Sequence, residues 1–251
     1  MSLVEFYDAY WTQADDTFDL ERLELIAQRV ESGENVLEVD CGPGVLAKRM
    51  QERGAQVTGT DLSRVAVERA QAKGVPAQQV DLDTQPLPFA DGTFDTVVSN
   101  SMIEHRFFPE RSLDECVRVL RPGGKFIVCL PNTAHWLCRW WLLTGRFPYV
   151  KNSPTDALHI RFFTVSEARR LCRERGLRVL ELDGSASLWA REFYPAWVRS
   201  RRLRRPYTWL AHRWPSLFAR DFVVMCLKEE SGSARSISPR LRPKTLEGRF
   251  D

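Results

Sequence analysis

The sequence predicts an α/β domain: a doubly wound, mostly parallel seven-stranded sheet with an antiparallel strand at one edge. Three observations predict it. Short apolar, β-branched runs alternate with stretches of helical period between residues 20 and 130. A turn over Gly42, Pro43 and Gly44 joins the first strand to the next helix. Glycine or proline closes most of the helical stretches. Alternation at this spacing requires right-handed crossovers and a sheet covered on both faces.

The elements follow in order. Leu23, Ile26, Ala27 and Val30 recur at helical spacing over residues 20–30, and Gly33 ends that helix. Residues 36–39 form the first strand, and Val45, Leu46 and Met50 resume helical period up to Gly54. Residues 56–59 are the second strand, 64–73 a helix stopped by Gly74 and Pro76, and 77–80 a short third strand. The fourth strand is 94–99, followed by a helix over 110–120 with Leu113, Val117 and Leu120 inward. A turn from Arg121 to Gly124 leads into the fifth strand, 125–130. Beyond it, a helix over 166–174 and strands over 178–182 and 221–228 complete the plan, the last two suited to antiparallel pairing. Two aromatic-rich insertions, 134–158 and 185–220, form a cap or lid on a domain spanning 1–230, and 231–251 reads as a disordered tail.

With 43% hydrophobic and 27% charged residues, the 251-residue chain has the balance of an ordinary globular protein, apart from a heavy load of eight Trp and fourteen Phe. The six cysteines form no C-x-x-C pair, which predicts buried thiols in a reducing compartment rather than disulfides or a metal cluster. No basic, apolar leader and no long apolar run is present, so a cytoplasmic protein is expected. The net charge is only +3, but residues 185–220 hold eight Arg against the single acid Glu192. Arg mixed with Trp suits a membrane interface, so peripheral attachment through this segment is a further expectation, beside a solvated cap over packed aromatics. Nucleic acid would accept the same patch. The stretch after the fourth strand is SNSM, however, and lacks the Asn-Pro-Pro-aromatic signature of enzymes that methylate bases, so nucleic acid is not the expected partner.

Strand, glycine-rich turn and helix place backbone N–H groups beside the polar end of a ligand. An acid ending the next strand, Asp61, is placed to accept from ribose hydroxyls. These two features fit NAD, FAD or an adenosyl sulfonium. Glu38, inside the strand before the turn, favours a cationic ligand.

The series VLEVDCGPG, GTD, VDLD, LPFADGTFDTVVSN, IEH and VLRPGGKFIVCLPN resembles the class I S-adenosylmethionine-dependent methyltransferases, in particular the branch with the ubiquinone-biosynthesis O-methyltransferases. The resemblance implies a Rossmann-like fold and S-adenosyl-L-methionine as cofactor; its motifs are poor guides to the acceptor, for which the leading expectation is a small molecule, lipid-linked or glycan-derived, methylated at oxygen. It places Glu38, Cys41 and the turn from Gly42 to Gly44 at the methionine end, Asp61 on the ribose and Leu62 on adenine. Asp81 would accept from the adenine amino group, with Leu82 as a backbone donor and Asp83 as the runner-up. Asn100 and Ser99 would line the floor, and Tyr7, Tyr10 and Trp11 resemble the segment that folds over the cofactor.

His105, at the mouth after the fourth strand, is the expected general base, since an imidazole ordinarily titrates near neutrality. Relatives in that branch carry an E-x-x-E-H cluster suggestive of a metal. Here Ser101 replaces one carboxylate beside Glu104 and His105, so no metal is expected. His135, His159 and His212 stand alone among aromatics, with His159 the best placed to meet substrate.

One residue departs from the pattern. Asp40 stands where the turn ordinarily carries glycine. Aspartate tolerates positive φ, so the turn is expected to survive. Its charge would attract the ammonium of the methionine end and repel the carboxylate, which predicts weakened cofactor binding. Asp40 and Ser101 also admit a second reading, a regulatory protein that binds the cofactor but is catalytically weak.

Overall fold

The computed structural model describes residues 1–14 and 19–229. The expected tail over 231–251 lies outside them. A seven-stranded sheet runs in the order β3-β2-β1-β4-β5-β7-β6. Its strands are β1 (Asn35–Val39), β2 (Gln56–Asp61), β3 (Ala77–Gln79), β4 (Phe94–Asn100), β5 (Leu120–Pro131), β6 (Leu177–Ser185) and β7 (Asp221–Lys228). Strands β1 to β5 pair in parallel. β7 inserts between β5 and β6, antiparallel to both, so the expected antiparallel partners occupy one edge together.

The helices are α1 (Leu3–Gln13), α2 (Leu20–Ala27), α3 (Val45–Glu52), α4 (Arg64–Ala72), α5 (Pro109–Val119), α6 (Trp136–Leu143), α7 (Val165–Arg173), α8 (Arg201–Arg213) and α9 (Pro215–Phe218). Period-2 alternation along the strands divides the core into two faces. Phe126, Val128 and Leu130 of β5 pack with Leu113 and Cys116 of α5 and Ala168 and Leu171 of α7. Ile127 and Cys129, pointing the other way, join Leu23 and Ile26 of α2, Leu46 and Met50 of α3 and Ala70 of α4. The result is three layers, helices on sheet on helices. All six cysteines are buried free thiols.

The two aromatic insertions pack on one another. Leu137 and Cys138 of α6 meet Ala190, Phe193, Tyr194, Tyr207 and Ala211 in a third cluster. His135, fully buried there, accepts at Nδ1 from the Leu137 N–H and lies 2.8 Å at Nε2 from the Tyr207 hydroxyl. Burial lowers its pKa to about 3, so it is a neutral packing residue. His212 lies at the surface, 2.6 Å from Asp183. Among the described residues no helix is long and apolar enough to cross a membrane.

The order in which strands are added reverses at β1: β2 and β3 lie on one side of it, β4 and β5 on the other. At such a switch point a cleft opens beyond the carboxyl ends of the strands. Glu38 and Val39 close β1, Asp61 closes β2 and Asn100 closes β4, so three of the polar residues singled out in the sequence come to one place.

Candidate active site

A cavity of about 290 Å³ occupies that cleft. Of the expected site residues, Tyr10, Glu38, Asp40, Cys41, Gly42, Asp61, Leu62, Asn100 and His105 line it, and Gly44, Asp81 and Leu82 do not. Gly44 is the N-cap of α3 at φ 74°, and a Cβ there would lie 2.9 Å from the Ala70 Cβ. Glycine at 44 therefore serves the turn and the close approach of α3 to α4 rather than the cavity. Asp81 spends its carboxylate on its own turn, accepting from the Asp83 N–H and the Thr84 hydroxyl, and Leu82 is buried in the core. Asp83 lines the cavity instead.

The turn is built around Asp61. Its two carboxylate oxygens accept from the backbone N–H groups of Gly42 and Ser63, each at 2.8 Å. Burial, and then the nearby charge of Asp40, push its pKa up to about 7 despite those donors. Gly42, at φ 54°, lies beneath Trp11: a Cβ at 42 would meet the indole at 3.0 Å. α1 is held over the cavity by Asp8, which accepts from the Ser63 hydroxyl and the Val65 N–H.

Asp40 takes φ 51°, as the turn requires. Its carboxylate does not wait for a ligand, however. The Arg106 guanidinium, 5% exposed, pairs with Asp40 and, at 2.9 Å, with Asp83. This corrects the expectation of a free charge facing the methionine end. Ser101 (φ 57°) and Asn152 (φ 54°) also line the cavity. Non-glycine residues in this region concentrate at ligand sites.

The buried polar atoms without a partner are informative, because such atoms cost about 1–3 kcal/mol each unless a ligand satisfies them. Among those in the cavity wall are Arg22 Nε, Glu38 Oε2, Asn100 Oδ1 and both carboxylate oxygens of Glu104. Eight carboxylates (Asp19, Glu38, Asp40, Asp61, Asp83, Glu104, Asp156 and Asp221) line the cavity against three arginines, Arg22, Arg106 and Arg220. That balance fits a cationic ligand. Burial raises the pKa of Glu38 well above the usual carboxylate range, which a bound cation would reverse.

Arg22 is absent from the sequence expectations. Its Nη1 donates to the Ser101 hydroxyl at 2.8 Å and stands 3.9 Å from Asp221. The available signal was its place one turn before Ile26, on the inward stripe of α2 where a charge needs a reason.

Also in the cavity wall, Glu104, His105 and His159 place their ligand-type atoms within 4.8 Å of one another. A short 3-10 turn, Ile103–His105, carries the first two. His105 Nδ1 lies 3.0 Å from the Leu158 carbonyl and His159 Nδ1 3.4 Å from that of Pro154. A carbonyl only accepts, so each Nδ1 carries the proton and each Nε2 offers its lone pair.

The profile of the family described as methionine biosynthesis protein MetW matches residues 20–202. A ubiquinone biosynthesis O-methyltransferase from Chromobacterium violaceum is 34% identical over 172 residues, 65% of this chain and 73% of that protein. Among solved structures, the complex of the Haloferax volcanii Trm112 methyltransferase activator with a methyltransferase matches with a TM-score of 0.65 at 21% identity, covering 91% of this chain and 98% of that one. An S-adenosylmethionine-dependent methyltransferase from Mesorhizobium loti matches with a TM-score of 0.59 at 18% identity, over 84% and 99% of the two chains. A cavity with a carboxylate at the end of β2, buried unpartnered polar atoms and a surplus of acid suits S-adenosylmethionine, the cofactor that the Mesorhizobium loti enzyme is named for. The chain belongs to the MetW family, and it is a class I S-adenosylmethionine-dependent methyltransferase.

Proposed function

We propose that the protein methylates a hydroxyl of a small acceptor seated between His105 and the cap. The cluster of Glu104, His105 and His159 in the wall of the cofactor cavity carries this reading. Bound S-adenosylmethionine supplies an already activated methyl group, so the chain's own work is to bind, to orient and to receive a proton. Glu38 Oε2 receives the ammonium of the methionine end and Arg22 its carboxylate. Asp61 accepts from the ribose hydroxyls, Leu62 packs on adenine, and Asp83 serves the adenine side in place of Asp81. Tyr7, Tyr10 and Trp11 exclude water from above.

A hydroxyl acceptor is a poor nucleophile until its proton leaves. His105 Nε2 is the atom free to take it, because Nδ1 is committed to the Leu158 carbonyl. The buried Glu104 carboxylate stabilises the imidazolium that results. The relatives named as ubiquinone biosynthesis O-methyltransferases support oxygen as the acceptor atom.

His105→Ala is expected to slow methyl transfer about 10²–10⁴-fold, measured over a panel of phenolic and lipid-linked hydroxyl acceptors, with affinity for S-adenosylhomocysteine unchanged. Loss of cofactor affinity instead would move His105 to the cofactor. The same three side chains have the donor types of a divalent-cation site. A base acting alone predicts transfer that is insensitive to EDTA; abolition by EDTA and recovery with added Mg²⁺ or Zn²⁺ would assign the cluster to a metal.

A further inference from the structure

The cap carries a surface that methyl transfer does not use. Residues 193–220 contain seven Arg (199, 201, 202, 204, 205, 213 and 220) and no Asp or Glu. α8 buries Tyr207 and Ala211 against the cap and turns Trp209 outward, 58% exposed. Arg202, Arg205 and Arg213 stand seven and four residues before Trp209 and four after it, so all share its outward face. Trp214 continues this face: its ring lies 5.7 Å from that of Trp209, with the Arg213 guanidinium 5.3 Å above it.

We propose that this face of α8 docks on an anionic lipid surface. Indole rings at headgroup level with arginines around them are the pattern of an interfacial helix, the guanidinium groups meeting phosphate while the rings sit at the acyl boundary. The N-terminus of α8 supplies a second argument. Four arginines, Arg201, Arg202, Arg204 and Arg205, lie in its first five residues, without an acid in the first turn or a side-chain cap. Cations at the positive end of a helix dipole oppose it. A local choice that works against the fold points to an external anion that offsets it.

Leu142 and Leu143, exposed at the end of the neighbouring α6, favour lipid over nucleic acid. Aliphatic side chains gain from an acyl boundary and offer nothing to a stacked base. α6 belongs to the same body as α8, since Trp136 Nε1 donates to the Tyr207 hydroxyl at 2.7 Å. The cap also supplies Trp189 to the cavity wall, where its ring lies 5.3 Å from the Arg220 guanidinium.

The test is co-sedimentation of the full chain with vesicles of phosphatidylcholine, with and without about one third phosphatidylglycerol. Binding is expected only to the anionic vesicles, falling steeply between about 0.05 and 0.5 M NaCl. The double variant R202E/R205E is expected to lower partition at least tenfold, and Trp209→Ser to lower it and to reduce the blue shift of indole fluorescence, Trp214 remaining on the face. Arg170→Glu, on α7 outside the arginine-rich segment 193–220, is the charge control and is expected to bind as the wild type does. Calorimetry with S-adenosylhomocysteine on each variant separates loss of docking from loss of fold or of the methyltransferase site. No sedimentation at any ionic strength would overturn the proposal. So would equal binding by R202E/R205E, or binding of a single-stranded RNA oligonucleotide in place of vesicles.

Discussion

Asp61→Ala is expected to weaken binding of S-adenosylhomocysteine by about 30- to 1,000-fold, the loss of two hydrogen bonds to a charged acceptor at a net of about 2–4 kcal/mol. The side chain has two duties. It holds the turn through the Gly42 and Ser63 N–H groups, and in the proposed complex its remaining lone pairs accept from the ribose. Asp61→Asn keeps the shape and removes the charge, so it should fall between wild type and alanine. The pKa of about 7 gives the wild type a signature. The ionised carboxylate is the better acceptor, so affinity should rise as pH increases through about 7, and Asp61→Asn should lose that part of the dependence. Glu38, also raised, acts with the same sign on the ammonium, which is why the Asn variant is the necessary comparison. For the unliganded protein the sign reverses. A carboxylate whose folded pKa lies above its unfolded value costs stability as pH rises through about 7, so the free protein should melt lower at pH 8 than at pH 6. Calorimetry and melting curves across that range check both, and a flat affinity profile in the wild type would remove Asp61 from the ribose.

The architecture was legible because each element's local signals agreed. Glycine-stopped helical periods and β-branched runs fixed element type and order, and the motif series fixed the cofactor. The cleft was legible because the ends of β1, β2 and β4 must converge once the strand order is known. Three features were not. Asp81 and Asp83 are two residues apart on one loop, and only the backbone path shows that the first closes its own turn. Gly44 reads as a ligand glycine in any such motif, whereas its contact with Ala70 depends on how α4 packs. The meeting of His159 with Glu104 and His105 spans more than fifty residues of chain through an insertion without periodic signal. Arg22 and Arg106 were missed for a related reason: an arginine's partner is set by tertiary structure, and neither residue lies in a motif.

Arg106→Leu is expected to be the most damaging single change near the cofactor, and Asp40→Gly shows why. Arg106 is the buried cation between two carboxylates. Removing it leaves Asp40 and Asp83 without their counter-charge and deprives Asp61 of a favourable one. Breaking a buried pair from one side costs about 3–5 kcal/mol, and the pKa of Asp61 should climb further, so cofactor affinity at neutral pH should fall with stability. Asp40→Gly acts differently. It relieves a positive φ, a gain of about 1 kcal/mol, and leaves Arg106 still paired with Asp83, so the net change in stability should be small. It also removes the anion that raises the Asp61 pKa, so S-adenosylhomocysteine should bind more tightly below about pH 7. On this expectation, aspartate at this turn would lower cofactor affinity through the ionisation of its neighbour Asp61. In the double variant Asp40→Gly with Arg106→Leu, Asp40 is no longer stranded while Asp83 still lacks its counter-charge, so only part of the stability lost in Arg106→Leu should return. Denaturant melts of the four proteins give the coupling energy directly. If the two changes simply add, Asp40 and Arg106 are neighbours rather than partners, and the departure from glycine at position 40 needs another cause.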